Sequence, residues 1–476
     1  VKGINMANSG YVLAGFETLA TIVDNFFKGK RGRWNDNFTR EQISTFLSSA
    51  CAGFLHSFGQ DFAGKKKYHK YNQIQTDLYK QCRDMGIFND CNFIADSGGF
   101  QISIGRLTRR ESDLLTTMYY EWLEESNADI QRAFILDIPP GPGCEIFTCF
   151  DDVYRLNLAS YERAKALNDE LRKKMIYIHH FRTPKLWEIY TKIMRENEMF
   201  PAFEYHGTGG IVANMSSDMM IPVIIYVLPL IPLLNEAKKY GRNYLNFHIL
   251  GGANFRDMFF YELFKIVVKQ HHNIDLNITY DSSGIYKQVM HARYIHVPDK
   301  HGYIQKMNIK SDNLDKRFYD KVDLDNNLWT GNRVVDQFQI LLNDCAASHG
   351  FKPISVDGVY DTETKTFHED VKTYAILYTL GRYAQIEDDM KEYAHEAYPL
   401  YEQGDLDEFY RACLAVTKVI NQGKMTKKQK TKAHSISRSL DMLITLDEDY
   451  CEYLVNKFLA KDEFFELDSK QRSMKI

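Results

Sequence analysis

The stretch Asn92-Phe-Ile-Ala-Asp96-Ser-Gly-Gly-Phe-Gln101 decides how this chain folds. A short apolar run ends on a carboxylate, and two glycines and a glutamine follow at once. A strand that ends this way delivers an acid to the mouth of a pocket, while the glycines let a flat ligand come close to the backbone. A second acid arrives in the same manner far downstream, where Asn277-Ile-Thr-Tyr280 runs into Asp281-Ser-Ser-Gly284. Asp96 and Asp281 are the expected catalytic pair.

Between these two points the pattern repeats. Thr108-Arg-Arg-Glu111 is a capping-box signature, and Leu114, Met118, Trp122 with Leu115, Tyr119, Leu123 follow at helical spacing. Ala133-Phe-Ile-Leu136 ends on Asp137 and a Pro- and Gly-rich loop, and a helical pattern covers about Asp151 to Leu171. Met175-Ile-Tyr-Ile178 ends on His179 and His180, Ala202-Phe-Glu-Tyr205 on His206 and the glycines 207, 209 and 210, and Asn246-Phe-His-Ile-Leu250 on Gly251 and Gly252. With the strands of Asp96 and Asp281, six apolar strands each close on a polar residue or glycine, at intervals of about thirty to forty residues. Spacing of this kind implies parallel strands joined by helical crossovers. The expected fold is α/β, a (β/α)8 TIM-type barrel with an added mainly helical C-terminal region, and an open doubly wound sheet is the competing closure. The first two strands cannot be placed from the sequence.

Composition sets the limits. The 476 residues are 44% hydrophobic and 26% charged, enough for a substantial core. A net charge of -4 excludes holding a polyanion by bulk charge, so any nucleic-acid site must be a local basic patch. Eight scattered cysteines with no secretory leader ahead of them are expected to be reduced thiols in a cytoplasmic compartment. Only Cys144 and Cys149 are close, and no structural zinc is expected. The most apolar run, Met219 to Leu234, holds Pro222, Pro229 and Pro232 and is too short for a membrane span; it reads as buried helix and loop, and no membrane partner is expected.

The ends are less regular. An apolar helix is expected from Phe16 to Phe27 and a helix-like stretch from Ile43 to Leu55, with basic residues at Lys28 to Arg33 and Lys65 to Lys70. The organisation expected is a barrel over 1–300, a charged linker over 301–330 and a helical region over 331–476. Val356-Asp-Gly-Val-Tyr-Asp-Thr-Glu-Thr-Lys365 looks like the helix start of a peptidoglycan-binding-type module, though the match is short. Lys424, Lys427, Lys428, Lys430 and Lys432 form the densest basic run; a solvated linker between helices and a nucleic-acid contact are the two readings.

Asp96-Ser-Gly-Gly-Phe-Gln101 resembles the signature of the tRNA-guanine transglycosylase superfamily. The likeness continues in order through Asp137, His180, Gly209-Gly210-Ile-Val-Ala213, Leu250-Gly251 and Asp281, roughly residues 90 to 290. It implies base exchange on a barrel: a guanine leaves a polynucleotide and a 7-deazaguanine such as preQ0 takes its place, with no redox cofactor. It implies Asp281 as nucleophile on the sugar C1′ and Asp96 as acid/base and base contact, along with Ser97, Gly98 and Gln101 of the same motif. Asp137 would hydrogen-bond the edge of the base, His180 would contact base or ribose, Gly209 and Gly210 would offer backbone, and Leu250 with Gly251 would pack against the ring. Phe100 and Tyr280, beside the two acids, are candidates to stack on a base. Arg106, Arg109 and Arg110 are candidates for phosphate contact.

Two features differ from the tRNA enzymes. No cluster of cysteines and a histidine follows Asp281, and Ser282, Ser283, Gly284 and Ile285 replace a Pro-Thr-Arg-type loop. Both are similar to the phage and bacterial 7-deazaguanine DNA transglycosylases, so DNA is the expected polymer and tRNA the alternative, in a bacterial or phage-infected cytoplasm. Homodimerisation is common in the resembled family. A catalytically silent partner subunit and a barrel glycosidase are the rival readings; retention of both acids speaks against the first, and the second leaves the glycine landmarks unexplained.

Overall fold

A computed structural model describes residues 10–16, 19–21, 23, 39–64, 79–140, 147, 149–180, 183–209, 220–252, 255–282, 294–298, 304–308, 360–361, 366–367, 371–420 and 427–459. Eight parallel strands form a closed barrel in chain order: β1 Tyr11–Ala14, β2 Gly53–Ser57, β3 Phe93–Asp96, β4 Arg132–Phe134, β5 Met175–His180, β6 Tyr205–Gly209, β7 Tyr244–Ile249 and β8 Asp275–Ser282. Pairing of β1 with β8, Val12 opposite Asp281, closes the ring and removes the open-sheet alternative. All six strands expected from residue 90 onward are present. The two that could not be placed are β1 and β2.

The helices between the strands form the outer ring: α1 Arg40–Ala50, α2 Phe58–Gly64, α3 Gly99–Ser103, α4 Arg109–Glu125, α5 Phe150–Lys165, α6 Pro184–Glu196, α7 Met220–Lys239 and α8 Phe255–His272. The Thr108 capping box that announced α4 is formed on both sides, with the Glu111 carboxylate accepting from the Thr108 backbone and the Thr108 hydroxyl accepting from the Glu111 amide. The stretch read as helix from Ile43 to Leu55 is in fact two elements. α1 ends at Ala50, and the chain turns extended at Cys51 to enter β2. The Met219–Leu234 run is helix without a break from Met220, with Pro229 and Pro232 inside α7. Among the described residues, no helix is long and apolar enough to cross a membrane.

Period-two alternation sorts the strand residues into two cores. Val12, Leu55, Ile94, Phe134, Ile176 and Ile178 point inward and fill the barrel, whereas Tyr11, Phe54, Phe93, Tyr177, Phe247 and Tyr280 point outward under the helices.

Beyond β8 an antiparallel hairpin, β9 Tyr294–Pro298 with β10 Ile304–Asn308, reaches into the segment read as linker. Among the described residues four helices follow: α9 Val371–Glu402, α10 Leu406–Ile420, α11 Lys427–Thr445 and α12 Glu448–Phe458. α9 lies along α8 and against α1, which is the place of the eighth helix of the ring. Its buried stripe, Ile376, Leu380, Tyr383, Met390 and Ala394, includes one acid, Glu387. That carboxylate accepts the Gly10 amide at 2.6 Å, and the Tyr383 ring lies 5.2 Å from that of Tyr11. α11 and α12 pack on α7 and α8, held by Asn235 Nδ2 donating to the Leu446 carbonyl at 3.1 Å and by Arg195 bridging Glu236 and Glu448 at 3.2 and 2.6 Å. The basic run is helix from Lys427 onward rather than a linker. The side chains of Lys427, Lys428 and Lys430, and Lys424 as a whole, lie outside the described residues. So do residues 17, 18, 22 and 24–27 of the first expected helix, both N-terminal basic clusters and most of Val356–Lys365.

Candidate active site

At the C-terminal ends of the strands the barrel opens into a cavity of about 380 Å³, lined by Asp96, Gly99, Phe100, Ser103, Asp137, Pro139, Pro140, His180, Leu186, Gly209, Leu250, Gly251 and Asp281. The volume suits a small planar ligand. The wall is built from the ends of β3, β5, β6, β7 and β8 and the loop after β4, so each acid is held by a separate strand.

Asp96 is the last residue of β3. The backbone then reverses through Gly98, at φ 83°, into the short helix α3. A Cβ at Gly98 would stand 2.3 Å from the Cα of Gly59, and one at Gly99 would stand 1.8 Å from the carbonyl oxygen of Asp137. The glycine pair therefore serves packing as much as turning: it lets the β3 turn press against α2 on one side and the Asp137 backbone on the other. Replacing Gly99 by Ala is expected to cost about 1–3 kcal/mol and to push Asp137 off its place. A lowered Tm and a displaced Asp137 in the crystal structure of the variant would register both effects, and an unchanged Tm would contradict the first.

The Gly98 amide donates to Asp96 Oδ1 at 3.3 Å. Burial nonetheless pushes the Asp96 carboxyl up to about 6, with the Ser57 side chain and Gly98 amide pulling it down and the nearby charges of Asp137 and Asp281 adding to the rise. An acid poised near neutral pH can give up a proton and take one back. Across the cavity Asp137 Oδ2 is hydrogen-bonded to His180 Nε2, and the Tyr190 ring lies 5.3 Å from that of His180. Asp281 Oδ1 accepts the Gly251 amide at 2.8 Å and faces His248 Nε2 at 3.3 Å. Phe100 stands at the rim with 64% of its surface exposed, unusual for a large aromatic with a cavity beside it.

The structure brings Asp96, Phe100, Asp137, His180, Gly209, Leu250, Gly251 and Asp281 to this one cavity. It does not bring Tyr280. As the neighbour of an inward residue on a strand, Tyr280 faces out, 2% exposed, with its ring 5.2 Å from Tyr261 and 6.3 Å from Tyr11. Ser97 and Gly98 shape the turn without lining the cavity, and Gln101 lies behind it, accepting Arg106 Nη1 at 3.2 Å. Arg106, Arg109 and Arg110 are exposed, the latter two on the first turn of α4. His179 points away and shares a 3.0 Å hydrogen bond with Thr191 Oγ1. Gly210 lies outside the described residues.

Sequence reasoning passed over Ser103, Leu186 and His248. Asn246, His248 and Leu250 alternate along β7, so a reading that turned Leu250 inward carried His248 with it. α3 and α6 carry Ser103 and Leu186 in from the side, and nothing in strand periodicity reports them. No family model matches the chain, and no curated protein matches it.

Proposed function

We propose that the chain is a base-exchange transglycosylase that replaces guanine in DNA with a 7-deazaguanine. The observation that carries this reading is the convergence of Asp96, Asp137, His180 and Asp281 from separate strand ends on one cavity, in the sequence order of the Asp-Ser-Gly-Gly-Phe-Gln landmarks.

In the first half-reaction an Asp281 oxygen attacks C1′, the bond from C1′ to the glycosidic nitrogen breaks, and its electron pair goes to the departing base. Asp96, in its acid form, protonates that base. The second half runs in reverse with the new base: its ring nitrogen attacks C1′, its proton goes to the Asp96 carboxylate, and the ester electron pair returns to Asp281. A carboxylate close to an oxocarbenium-like centre is suited to trapping it. Asp137, its carboxylate held by His180, presents an acceptor to the edge of a guanine-like base. The exposed ring of Phe100 offers a stacking face to an unpaired base, and Arg106, Arg109 and Arg110, all exposed, offer cations to a phosphate backbone. The absence in the sequence of a cysteine-histidine cluster and of a Pro-Thr-Arg-type loop after Asp281 favours DNA over tRNA.

The test is incubation with labelled guanine or preQ0 and either duplex DNA or bulk tRNA. Label is expected in DNA, and Asp281→Ala is expected to lower its incorporation on the order of 10⁴-fold. Label in tRNA would replace DNA as the polymer. Full exchange by Asp281→Ala would remove the nucleophile, and label in neither polymer would overturn the reading.

A further inference from the structure

The imidazole of His248 stands beneath Asp281 and plays no part in the steps above. It is 3% exposed and is absent from the cavity wall. Nδ1 lies 2.9 Å from Thr279 Oγ1 and Nε2 lies 3.3 Å from Asp281 Oδ1, and the Phe134 ring, centred 4.9 Å away, meets the imidazole at 60°. In the neutral ring only one nitrogen carries hydrogen. With hydrogen on Nδ1, the bare Nε2 lone pair would face the carboxylate. With hydrogen on Nε2, the ring donates to Asp281 and accepts from the Thr279 hydroxyl, so every partner is satisfied.

We infer that His248 is a positioning residue that assigns the two oxygens of Asp281 different tasks. Oδ1 is held by two donors, the Gly251 amide and His248 Nε2, whereas among the described residues Oδ2 has no hydrogen-bond partner. Oδ2 is the oxygen that attacks C1′, and Oδ1 receives the charge when the ester breaks. The acceptor-only carboxylate of Asp281 selects the tautomer, and Thr279, two residues before it on the same face of β8, holds the ring through its hydrogen bond with Nδ1. Because His248 does not reach the cavity, it acts on the reaction step and leaves substrate binding alone. The catalytic part of this inference rests on the base-exchange reading; the orientation part does not.

The experiment has two arms. In the first, crystal structures of wild type, His248→Ala and His248→Gln are compared. The Asp281 carboxylate is expected to turn or lose order in His248→Ala and to keep its place in His248→Gln, whose amide nitrogen reaches about as far as Nε2. An Asp281 that stays in place without the imidazole overturns the inference whether or not the protein exchanges bases. In the second, steady-state exchange is measured: kcat is expected to fall on the order of 100-fold in His248→Ala with KM within about twofold, to recover to within tenfold of wild type in His248→Gln, and to lie between in Thr279→Val. A rise in KM at constant kcat, or no rescue by glutamine, overturns the inference. Should wild type exchange nothing while Asp281 still turns in His248→Ala, the base-exchange reading alone fails.

Discussion

Residues 1–300 expressed alone are expected not to fold, although they contain all eight strands of the barrel. The seam between β8 and β1 is covered by α9, which arrives from far along the chain and occupies the eighth helical position. Removing it uncovers Tyr11 and Tyr280, strips Ile376, Leu380, Tyr383 and Met390 from the core and leaves the Gly10 amide without the Glu387 carboxylate. A fully buried large apolar side chain is worth about 1.5–3 kcal/mol. A whole domain is stable by only about 5–15 kcal/mol, so losing one side of this seam exceeds the margin. Solubility and far-ultraviolet circular dichroism of the fragment, alone and with residues 331–476 supplied separately, measure the effect. A soluble fragment with the helical content and cooperative melting of the full chain would show that α9 is an ornament rather than a wall.

Under the proposed base-exchange reading, Asp96→Asn is expected to slow exchange steeply and to stabilise the protein at once. Burial raises the Asp96 carboxyl to about 6, above the ordinary value near 4, so the folded protein binds that proton more tightly than the unfolded chain. The stability this contributes is fully present below about pH 4, is lost as the pH rises toward 6, and is absent above it, a difference of about 3 kcal/mol. Asparagine stays neutral throughout and can still accept the Gly98 amide. The variant should therefore match wild type near pH 4 and exceed it by up to about 3 kcal/mol at pH 8, while exchange falls on the order of 10²–10⁴-fold. In wild type, release of the first base should drop about tenfold per pH unit above about pH 6, because only the acid form can protonate the leaving group. Equilibrium denaturation at the two pH values and single-turnover base release test the two halves. A variant no more stable than wild type at pH 8 would mean that Asp96 carries no desolvation cost.

The strands from β3 to β8 were legible because each apolar run stops at a residue that strand interiors avoid, an acid, a histidine or a glycine. β1 does stop on a glycine, Gly15, but Tyr11–Ala14 is only four residues long and the apolar pattern resumes at once at Phe16, where the sequence reads as helix. β2 was hidden because the apolar pattern of α1 continues through Cys51 into Phe54 and Leu55, and nothing but the extended backbone at Cys51 separates helix from strand. At the site, the acids were legible as strand ends. The misplacement of Tyr280 came from reading proximity in sequence as proximity in space. Alternation forbids adjacent strand residues from sharing a face, the same rule that separates His179 from His180. Glu387 was invisible because an acid on an apolar helical stripe reads as a surface position until its partner, 377 residues away, is known.

That separation bears on how the protein is made. A ribosome adds roughly 5–20 residues each second, so β1 and β8 emerge well before the helix that seals the gap between them. For that interval the nascent chain has all eight strands but cannot complete its core, and Tyr11, Tyr280 and the outward face of α8 stay uncovered. Contacts spanning so much of the chain form slowly, and the exposed seam is the surface a holding chaperone would meet. Synonymous changes that hasten or delay translation between residues 283 and 371 would alter how long it stays open.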